Sequence, residues 1–486
     1  MTSSPDAPKP DGLPVGFDLR IPRRIHLIGA GGAGMSSIAT ILIEMGHTVS
    51  GSDASESKAL IRLTELGMTA FVGHRRDQIG DAQMVLRSTA VRPDNPEYLE
   101  ALDRGIPVLN RTAFLPLLGA VTPFLSISGT HGKTTTSSMT AVALTACGAD
   151  PSFLIGSPVH SLGASAGYRS GPLMVLEADE SDGSFMAGPR AGAIVTNIEA
   201  DHLDFWGSWD ALVDGFRDFL AGTEGPRVVC VDEAPLASMK SELRAIGYGF
   251  DESADYRLLD VSQSTDATLV KVSTPQGPVS MRLAVPGRYN ALNATAALAL
   301  VHSLGNDLES IIAGLESYRG VARRFERRGS IAGIDFVDDY AHHPTELRAV
   351  IGAAGAGEWN RVIATFQPHR FSRTEALWDD FAGAFTGVDL LVVTDIYPAG
   401  ETPRPGITGN GLAEAIRSHS GVGHVMFAAT LDEAAAILAT ELRSGDLSMS
   451  LGAGDVTTLS DKVIALIESA DGTGRDSIPE DSADES

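Results

Sequence analysis

Two glycine-rich loops, each set between an apolar run and a helical stretch, constrain the fold of this chain more than any other feature. The first is GAGGAG at residues 29–34, and the second is GTHGKT at residues 129–134. Along the sequence, short runs rich in β-branched residues alternate with Ala- and Leu-rich stretches of helical period. This alternation is typical of α/β proteins with largely parallel sheets, in which ligand-binding loops follow the carboxyl ends of strands.

The sequence predicts an α/β fold of three domains. We expect an N-terminal Rossmann-like domain, a central domain with a P-loop-type parallel or mixed sheet, and a C-terminal Rossmann-like domain. A length of 486 residues fits that number. Both chain ends are polar and are expected to be disordered tails. The boundaries are set where the sequence pattern changes. The N-terminal tail spans residues 1–20, and the acidic tail spans residues 471–486. Between them, the N-terminal domain spans residues 21–120, the central domain 121–324 and the C-terminal domain 325–470.

Composition narrows the possible partners and the compartment. The formal net charge is −25, and an acidic body repels nucleic acid and anionic membranes, so neither partner is expected. Two cysteines, Cys147 and Cys230, are too few for a zinc cluster or a disulfide framework. The N-terminus has proline and charge where a signal peptide has an apolar core, and no apolar run reaches the ~20 residues of a membrane span. The expected location is cytoplasmic.

The first loop has the spacing of a dinucleotide-binding fingerprint. Gly29, Gly31, Gly32 and Gly34 lie between a predicted strand and a predicted helix, and Asp53 ends the next strand. Glycines let the backbone approach a pyrophosphate, and the helix N-terminus supplies amide donors. A nicotinamide cofactor fits such a loop. A UDP-sugar fits it equally because it presents the same diphosphate, and a plain strand-to-helix turn is the third alternative.

The second loop has the form of a phosphate-binding loop in which Ile127 stands where the usual leading glycine would be. Gly129 and Gly132 still allow a nest of backbone amides for an anion. Lys133 can reach β- and γ-phosphate oxygens, and Thr134 can place its hydroxyl on Mg²⁺. A dehydrogenase has no use for this second loop, and a motor ATPase has none for the first. A ligase that activates a nucleotide-sugar with ATP uses both.

Ten motifs carry a family resemblance. They occur in the order IHLIGAGGAGM, SGSD, GTHGKTTT, EADESDGSF, TNIEADHLD, PGRYNALNA, RRFE, DDYAHHPTE, FQPHRFSRT and LGAGD. With these motifs the chain resembles the Mur ligase family from residue 24 to about residue 470, and the shortened loop GTxGKT is that family's own form. The resemblance implies ATP-dependent ligation of L-alanine to the lactyl carboxylate of UDP-N-acetylmuramate through an acyl phosphate. That reaction is a cytoplasmic step of peptidoglycan precursor synthesis, and it would use ATP and Mg²⁺, with two metal ions expected.

The resemblance also implies the residues of the site. The UDP-sugar is expected at Gly29, Gly31, Gly32, Gly34 and Asp53. ATP is expected at Gly129, Thr130, His131, Gly132, Lys133, Thr134, Thr135, Asn293, Arg324 and Asp339, with Asn293 at the adenine and Asp339 at the ribose. The metal ions are expected at Thr134, Glu177 and His202, and the catalytic set is Lys133, His202, His342, Arg370 and Arg373.

The metal-binding candidates also have support from their positions. Glu177 ends an apolar run, at the edge that faces ligands in open parallel sheets, where a carboxylate suits Mg²⁺. For most of the acidic residues that follow, Asp179, Glu180 and Asp182, a solvated loop is expected. His202 follows the predicted strand AIVTNI, and a structural or merely exposed histidine is its alternative. No lysine occurs between Lys133 and Lys240, so the carbamoylated lysine of several sister ligases has no counterpart near these motifs.

The third region carries the candidates for amino-acid binding. Arg370 and Arg373 can both bind a carboxylate through their guanidinium forks, and the resemblance assigns them the amino-acid carboxylate and the intermediate. His342 is expected to orient or deprotonate the alanine ammonium, because the ordinary histidine pKa of about 6.5 suits a base near neutrality. A basic surface turn, an alanine-binding wall and a zinc site are the alternatives. Tyr289 stands where the family usually has a histidine, which leaves that histidine's hydrogen bond in doubt.

Three rival functions stay open at the level of the sequence. They are the sister ligase that joins a murein tripeptide to the same UDP-sugar, a nicotinamide-dependent oxidoreductase, and a non-catalytic nucleotide sensor. A ligase with sites at domain interfaces is expected to close around its substrates. The sequence leaves the oligomeric state open, with a monomer–dimer equilibrium among the alternatives.

Overall fold

The computed structural model of the chain describes residues 17–265, 267–419 and 421–473, with residues 470–473 described by their backbone alone. These residues form three β-sheets with flanking helices, which confirms the α/β class. They divide into two compact units. Of the described residues, unit 1 comprises 17–261, 269–283 and 291–321, and unit 2 comprises 262–265, 267–268, 284–290, 322–419 and 421–473.

The first sheet, in unit 1, has five strands, and all of its strand pairs are parallel. Its strands are β1 (Arg24–Ile28), β2 (Thr48–Asp53), β3 (Thr69–Val72), β4 (Met84–Arg87) and β5 (Val108–Leu109), and its helices are α1 (Ala33–Glu44), α2 (Lys58–Glu65), α3 (Pro96–Asp103) and α4 (Arg111–Val121). The order β3-β2-β1-β4-β5 confirms the Rossmann-like prediction. The order reverses beside β1, which is where ligands bind in such sheets.

The second sheet has ten strands and is mixed. Its strands are β6 (Phe124–Ser128), β7 (Ser152–Val159), β8 (Ala164–Gly167), β9 (Met174–Glu177), β10 (Arg190–Val195), β11 (Arg227–Cys230), β12 (Ile246–Gly249), β13 (Tyr256–Gln263), β14 (Thr268–Thr274) and β15 (Gly277–Leu283). The accompanying helices are α5 (Lys133–Ala146), α6 (Leu203–Trp206), α7 (Trp209–Ala221), α8 (Ala234–Leu243), α9 (Arg288–Ser303) and α10 (Leu308–Ser317). In the order β15-β14-β13-β12-β11-β10-β6-β9-β7-β8, β6 pairs in parallel with both β9 and β10, so three carboxyl ends meet at one edge.

The third sheet, in unit 2, has the order β16-β17-β21-β18-β19-β20 once its strands are named in chain order. These are β16 (Glu326–Ile331), β17 (Ile334–Asp339), β18 (Arg361–Phe366), β19 (Leu390–Thr394), β20 (His424–Ala428) and β21 (Asp446–Leu451). Its helices are α11 (Pro344–Ala354), α12 (Phe371–Ala376), α13 (Trp378–Ala382), α14 (Gly409–Arg417), α15 (Leu431–Glu441) and α16 (Leu459–Thr473). Only β16 runs antiparallel to its neighbour among the described pairs.

Helix N-termini in unit 1 differ in a way that bears on function. Five begin at a side-chain cap, with hydrogen bonds from first-turn amides to Ser57 at α2, Asn95 at α3, Asn110 at α4, Ser208 at α7 and Asp307 at α10. The helices α6 and α8 have no side-chain cap. The two helices that follow the glycine loops, α1 and α5, begin instead at Gly32 and Gly132, which have no side chain to offer. Their first-turn amides therefore lack the usual capping oxygen and suit an anion.

A shared hydrophobic core joins the first two sheets within unit 1. It includes Leu27 and Ile38 from the first sheet's side and Phe124 and Leu176 from the second. Leu19, inside the tail predicted for residues 1–20, is 2% exposed and packs in this core. At the other end, α16 extends into the tail predicted for residues 471–486. The remainder of both tails lies outside the described residues.

Two short segments from the predicted central domain belong to unit 2. In residues 262–268, Thr265 O accepts a hydrogen bond from Arg327 Nη2 at 2.7 Å, and Thr265 Oγ1 accepts one from Glu358 N at 3.1 Å. In residues 284–290, Tyr289 packs against the core of unit 2. A single boundary at residue 324 therefore does not describe these two segments. They join unit 2 through contacts with residues that are distant in sequence.

Candidate active site

The second glycine loop connects β6 to α5, and its geometry requires both of its glycines. Gly129 has φ +129° and Gly132 has φ +81°, a region that side-chain-bearing residues rarely adopt. A Cβ on Gly129 would lie 2.2 Å from Thr196 Oγ1, and one on Gly132 would lie 2.7 Å from Asn293 Oδ1. The loop thus lies tightly against its neighbours. Ile127, in place of the usual leading glycine, is buried within β6.

Two residues that follow β10, Thr196 and Asn197, hold this loop, and we call them the latch. Asn197 Oδ1 accepts a hydrogen bond from His131 N at 2.8 Å, and Asn197 Nδ2 donates to His131 O at 3.0 Å. Thr196 Oγ1 donates to the same carbonyl at 2.6 Å, and Thr130 N donates to Asn197 O at 3.1 Å. The predicted strand AIVTNI therefore ends at Val195, and its last residues brace the phosphate loop instead.

Lys133 is the first residue of α5, and its ammonium group lies inside the loop. Nζ donates to the carbonyl oxygens of Gly129 and Thr130 at 2.7 and 3.3 Å. It also donates to the two carboxylate oxygens of Glu180 at 3.0 and 2.8 Å. Burial lowers the pKa of Lys133, but the surrounding carboxylates, Glu180 foremost, outweigh it and raise that pKa above its ordinary value. The loop therefore carries a full positive charge at neutral pH.

Glu180 is buried, contrary to the expectation of a solvated loop over residues 179–182. Its side chain is 2% exposed, whereas Asp182 lies on the surface. Burial raises the pKa of Glu180, and Lys133 offsets this only in part. Trp206 Nε1 donates to the Glu180 carbonyl oxygen at 3.1 Å and fixes the turn. The sequence could not separate the two acids, because the difference depends on a lysine 47 positions away.

Thr134 and Glu177 form the oxygen-rich part of this site. Thr134 Oγ1 donates to Glu177 Oε1 at 2.7 Å, and Gly156 N donates to Glu177 Oε2 at 2.6 Å. The contact follows from the topology, because Glu177 ends β9 and β9 is paired with β6. A hydroxyl and a carboxylate beside a phosphate loop are the hard oxygen donors that Mg²⁺ prefers. The residues present therefore fit a magnesium ion.

His202 lies further along the chain that follows the latch. It precedes α6 with φ +55°, a left-handed conformation uncommon outside glycine, and its side chain is 27% exposed. Its Nε2 lies 3.5 Å from Asp201 Oδ2. No hydrogen bond or ion pair joins it to Thr134 or Glu177 within the described part of the chain. A strained backbone of this kind is often found at functional positions.

The first glycine loop is braced by the end of β2. The carbonyl oxygen of Ser52 accepts hydrogen bonds from the backbone amides of Gly29 and Ala30, at nitrogen–oxygen distances of 2.8 and 2.9 Å. Asp53 Oδ2 accepts the amide of Gly31 at 2.8 Å, so the predicted loop and the predicted acid do meet. Gly29 has φ +81°. One oxygen of Asp53 is thus committed to the loop itself.

Asn293, on α9, lies beside the second loop. It is 6% exposed, and its Oδ1 accepts a hydrogen bond from Thr136 Oγ1 at 3.1 Å. Thr135, one of the three threonines predicted to bind ATP, is 7% exposed on the first turn of α5. The structure therefore brings the predicted adenine contact to the N-terminal end of α5.

In unit 2, Asp339 ends β17 and is 5% exposed. Its Oδ2 accepts the amide of Phe325 and its Oδ1 accepts the amide of Ala341, both at 2.7 Å. Burial raises the pKa of Asp339 to about 6, against the opposing influence of Arg324. Arg324 Nη1 lies 3.6 Å from Glu346 Oε1. The two oxygens of Asp339 brace the turn, so a ribose contact would have to share them.

The predicted amino-acid-binding residues of unit 2 lie together. The rings of His342 and His369 are 6.0 Å apart, and Arg373 Nη1 lies 3.5 Å from His369 Nδ1. Burial, together with the nearby His342, Arg373 and Arg370, lowers the pKa of His369 to about 4. Arg370 precedes α12 with φ +70°, another strained position. The grouping is a neutral histidine pair flanked by two guanidinium groups.

The expectation that His342 titrates near neutrality is wrong. Burial lowers its pKa to about 4, with Arg373 acting in the same direction and Glu346 opposing. Its Nδ1 lies 3.0 Å from Tyr340 O, so Nδ1 carries the proton and donates, and Nε2 is left as an acceptor. Such an imidazole is neutral at pH 7 and is a weak base. It suits orientation of an amine better than removal of a proton from an ammonium group.

Comparisons with known proteins identify the family. Three family profiles match in succession: "Mur ligase family, catalytic domain" over residues 24–121, "Mur ligase middle domain" over 127–301, and "Mur ligase, glutamate ligase domain" over 323–454. A UDP-N-acetylmuramate–L-alanine ligase from Rhodopseudomonas palustris is 41% identical over 456 residues, which is 90% of this chain and 97% of the relative. One from Nitratidesulfovibrio vulgaris is 40% identical, over 91% of this chain and 98% of the relative.

A solved structure supports the same likeness. The crystal structure of a UDP-N-acetylmuramate–alanine ligase from Thermotoga maritima superposes with a TM-score of 0.79 at 29% identity. The match covers 92% of this chain and all of that one. As a separate finding, no helix of residues 17–473 that the structure describes is long and apolar enough to cross a membrane.

Proposed function

The chain belongs to the Mur ligase family, and on that premise we propose that it joins L-alanine to the lactyl carboxylate of UDP-N-acetylmuramate at the expense of ATP. The observation that supports these two substrates is the similarity to curated alanine ligases, at 40–41% identity over nine-tenths of the chain. The geometry supports the reaction class, because unit 1 holds two separate glycine loops, each suited to an anion. An oxidoreductase would leave the Lys133 loop without a role.

In the proposed site, the second loop and Lys133 bind the ATP phosphates, and Thr134 and Glu177 hold a magnesium ion. The ion would neutralise phosphate charge and polarise the phosphoryl oxygens. His202 is proposed as a ligand for a second ion. Asn293 and Arg324 are proposed to bind the remainder of the nucleotide, and the glycine loop after β1 with Asp53 is proposed to bind the UDP-sugar.

The proposed chemistry proceeds in two displacements. A lactyl carboxylate oxygen attacks the γ-phosphorus, the bond to the bridging oxygen breaks, and ADP leaves. The alanine amine then attacks the acyl carbon of the acyl phosphate, and the resulting tetrahedral intermediate expels inorganic phosphate. The ammonium form of alanine must lose one proton before the attack, and the nitrogen loses a second as the amide forms. Because two anions react, fixed positive charge and positioning carry most of the catalysis.

Unit 2 supplies the proposed amino-acid site. Arg370 and Arg373 suit the alanine carboxylate because guanidinium groups bind carboxylates bidentately. His342 is proposed to hold the alanine nitrogen through its acceptor Nε2. With its pKa about 4, His342 is not proposed as the base that deprotonates the ammonium.

We place the reaction in cytoplasmic synthesis of the peptidoglycan precursor, where both substrates of such a ligase would be met. A monomer–dimer equilibrium and the binding of two metal ions belong to the same proposal. Equilibrium sedimentation would test the first of these, and calorimetric titration with Mg²⁺ in the presence of a non-hydrolysable ATP analogue would test the second.

The decisive test offers two amine substrates. With UDP-N-acetylmuramate, ATP and Mg²⁺ present, we expect L-alanine to elicit release of inorganic phosphate. The murein tripeptide L-alanyl-γ-D-glutamyl-meso-diaminopimelate should elicit almost none. Faster release with the tripeptide would identify the sister ligase instead. Oxidation of a reduced nicotinamide, followed by its absorbance, would favour the oxidoreductase.

A further inference from the structure

Arg111 is a basic residue beside the first glycine loop that no sequence motif singled out. It is the first residue of α4, directly after the Asn110 cap. The atoms within 4 Å of the position that a Cβ would take on Gly34 belong to Arg111, with Nη1 at 3.6 Å and Cδ at 4.0 Å. The guanidinium group therefore lies against the first turn of α1, where the loop presents its amides.

Among the described residues, this guanidinium group has no hydrogen-bonded or ion-paired partner. Its Nε is buried without a hydrogen bond, and no hydrogen bond or ion pair to Arg111 occurs among residues 17–473 as described. Three other arginines around the first sheet have acidic partners: Arg24 pairs with Asp81, Arg76 with Glu100 and Asp103, and Arg92 with Asp94. Arg87, which is also half-buried, packs over the ring of Tyr98 instead. Arg111 has neither kind of contact, although the protein has 62 acidic residues and 37 basic ones.

The position of Arg111 on its helix is also electrostatically unfavourable. Positive charge is disfavoured at a helix N-terminus, because the unpaired amides there already carry partial positive charge. The side chain is half-buried, so water screens this repulsion incompletely. Burial raises the pKa of Asp179, in the acidic segment after β9, but Lys133, the hydrogen bonds from Ser181 and, as a smaller effect, the charge of Arg111 together lower it below its ordinary value. A bound anion would account for a cation kept at this place.

We propose that Arg111 binds the diphosphate of the sugar nucleotide at the first glycine loop. This inference rests on the proposed function, which supplies the ligand. The loop GAGGAG contains no cation of its own, whereas a diphosphate carries at least two negative charges, and a guanidinium fork matches phosphate oxygens bidentately. The diphosphate is preferred over the lactyl carboxylate because the side chain of Arg111 lies beside the start of α1, where such loops bind pyrophosphate.

The test compares Arg111→Met and Arg111→Lys with the control Arg24→Met. Arg24 is an arginine of the same sheet, half exposed and paired with Asp81 at the opposite end of β1. Calorimetry should be run with UDP-N-acetylglucosamine, which has the diphosphate but no carboxylate, and with UDP-N-acetylmuramate, which has both. A non-hydrolysable ATP analogue reports on the other loop, and uridine, followed by ligand-observed NMR, reports on nucleoside binding without phosphate.

We expect Arg111→Met to weaken binding of both UDP-sugars by about 10- to 100-fold, as for loss of a charge-assisted hydrogen-bonded pair. Arg111→Lys should retain part of the affinity. Uridine and the ATP analogue should bind the variants as they bind the wild type, and Arg24→Met should bind every ligand normally. Equal weakening of uridine would mean general damage to the domain and would count against a specific contact.

Two other outcomes would overturn the proposal. If Arg111→Met binds UDP-N-acetylglucosamine within twofold of the wild-type affinity, Arg111 does not bind the diphosphate. Weakened binding of UDP-N-acetylmuramate alone would reassign it to the carboxylate. Failure of the wild type itself to bind any UDP-sugar would instead contradict the proposed function, so the two failures are distinguishable.

Discussion

Lys133 and Glu180 form a buried ion pair inside the loop that is proposed to bind ATP. The two side chains are 16% and 2% exposed, and the nitrogen–oxygen distance is 2.8 Å. Pairing of this kind offsets the cost of removing two charges from water, but it adds little net stability over an apolar pair. A triphosphate would compete with Glu180 for the same ammonium. The pair therefore keeps Lys133 charged and positioned in the absence of nucleotide.

A double-mutant cycle tests the pair. Lys133→Met or Glu180→Gln alone should lower the free energy of unfolding by roughly 3 kcal/mol, because each leaves a buried polar group without its partner. The loss of unfolding free energy in the double variant should be smaller than the sum of the two single losses, by a coupling energy of about 2 kcal/mol. Urea unfolding followed by circular dichroism measures this. The surface pair Arg217–Glu242 is the control and should couple by under about 1 kcal/mol. Additive losses at the buried pair would contradict the account.

The lowered pKa of His342 predicts a pH dependence of stability. The pKa is about 4 in the folded chain and about 6.5 in the unfolded one, so the unfolded state binds more protons between these values. The contribution of His342 to the free energy of unfolding is therefore present at pH 7 and is lost as the pH falls from about 6.5 to about 4. Between pH 7 and pH 4.5 the wild type should lose about 2 kcal/mol more than His342→Gln.

Asp339 makes the comparison between variants necessary. Its raised pKa, about 6, has the opposite sign, because the folded chain binds the extra proton as the pH falls below 6. Both proteins carry Asp339, so the difference between them removes its contribution and leaves that of His342, together with the influence of His342 on the pKa of His369. Parallel stability curves for the two proteins would mean that His342 is not protected from protonation.

At the scale of elements, the junction between β6 and α5 explains why the family's loop tolerates Ile127. The strand β6 continues through residue 128, and the sharp turn that follows it is made at Gly129 and Gly132. The latch then supplies contacts that a longer loop would make within itself. A glycine is needed where the chain turns, and residue 127 lies before that point.

A pair of glycine substitutions at the two ends of α5 tests this geometry. Gly129→Ala would place a Cβ 2.2 Å from Thr196 Oγ1, whereas Gly148→Ala, also at positive φ, would meet nothing within 4 Å. Gly148→Ala should cost only the backbone strain, about 1–2 kcal/mol, and should leave ATP binding intact. Gly129→Ala should cost more and should abolish binding of an ATP analogue in calorimetry. Normal nucleotide binding by Gly129→Ala would show that the loop is more adaptable than described.

The elements were predictable to the extent that local pattern defines them. Both glycine loops, β1, β6, β9 and the long α9 follow from apolar periodicity and glycine spacing. Short strands such as β8, with the sequence ASAG, gave no such signal and pair only because β7 lies alongside. Glu180, the latch and Arg111 were missed for a related reason. Their roles arise from contacts across tens of residues, which a single sequence does not display.

At the scale of the whole molecule, the proposed phosphate sites belong to separate sheets. The UDP-sugar loop follows β1 of the first sheet and the ATP loop follows β6 of the second, although both lie in unit 1. The sequence predicted this separation because the loops are 100 residues apart in the pattern. It could not predict that the two sheets share one hydrophobic core, which depends on side-chain packing.

This separation predicts that the two ligands can be lost independently. Lys133→Ala should abolish ligation and weaken binding of an ATP analogue strongly, while UDP-N-acetylmuramate should bind within a few-fold of wild type. Calorimetry with each ligand measures this, and Lys240→Ala, a lysine of α8 paired with Asp255, is the matched control. Simultaneous loss of both ligands in Lys133→Ala would refute independent sites.

The central claim is that a carboxylate is activated by phosphorylation before an amine captures it. The most direct test uses UDP-N-acetylmuramate labelled with ¹⁸O in both lactyl carboxylate oxygens, together with ATP, Mg²⁺ and L-alanine, and mass spectrometry of the products. The account predicts that one ¹⁸O appears in the inorganic phosphate and the other stays in the new amide. Unlabelled phosphate, or the absence of an alanyl amide, would contradict it.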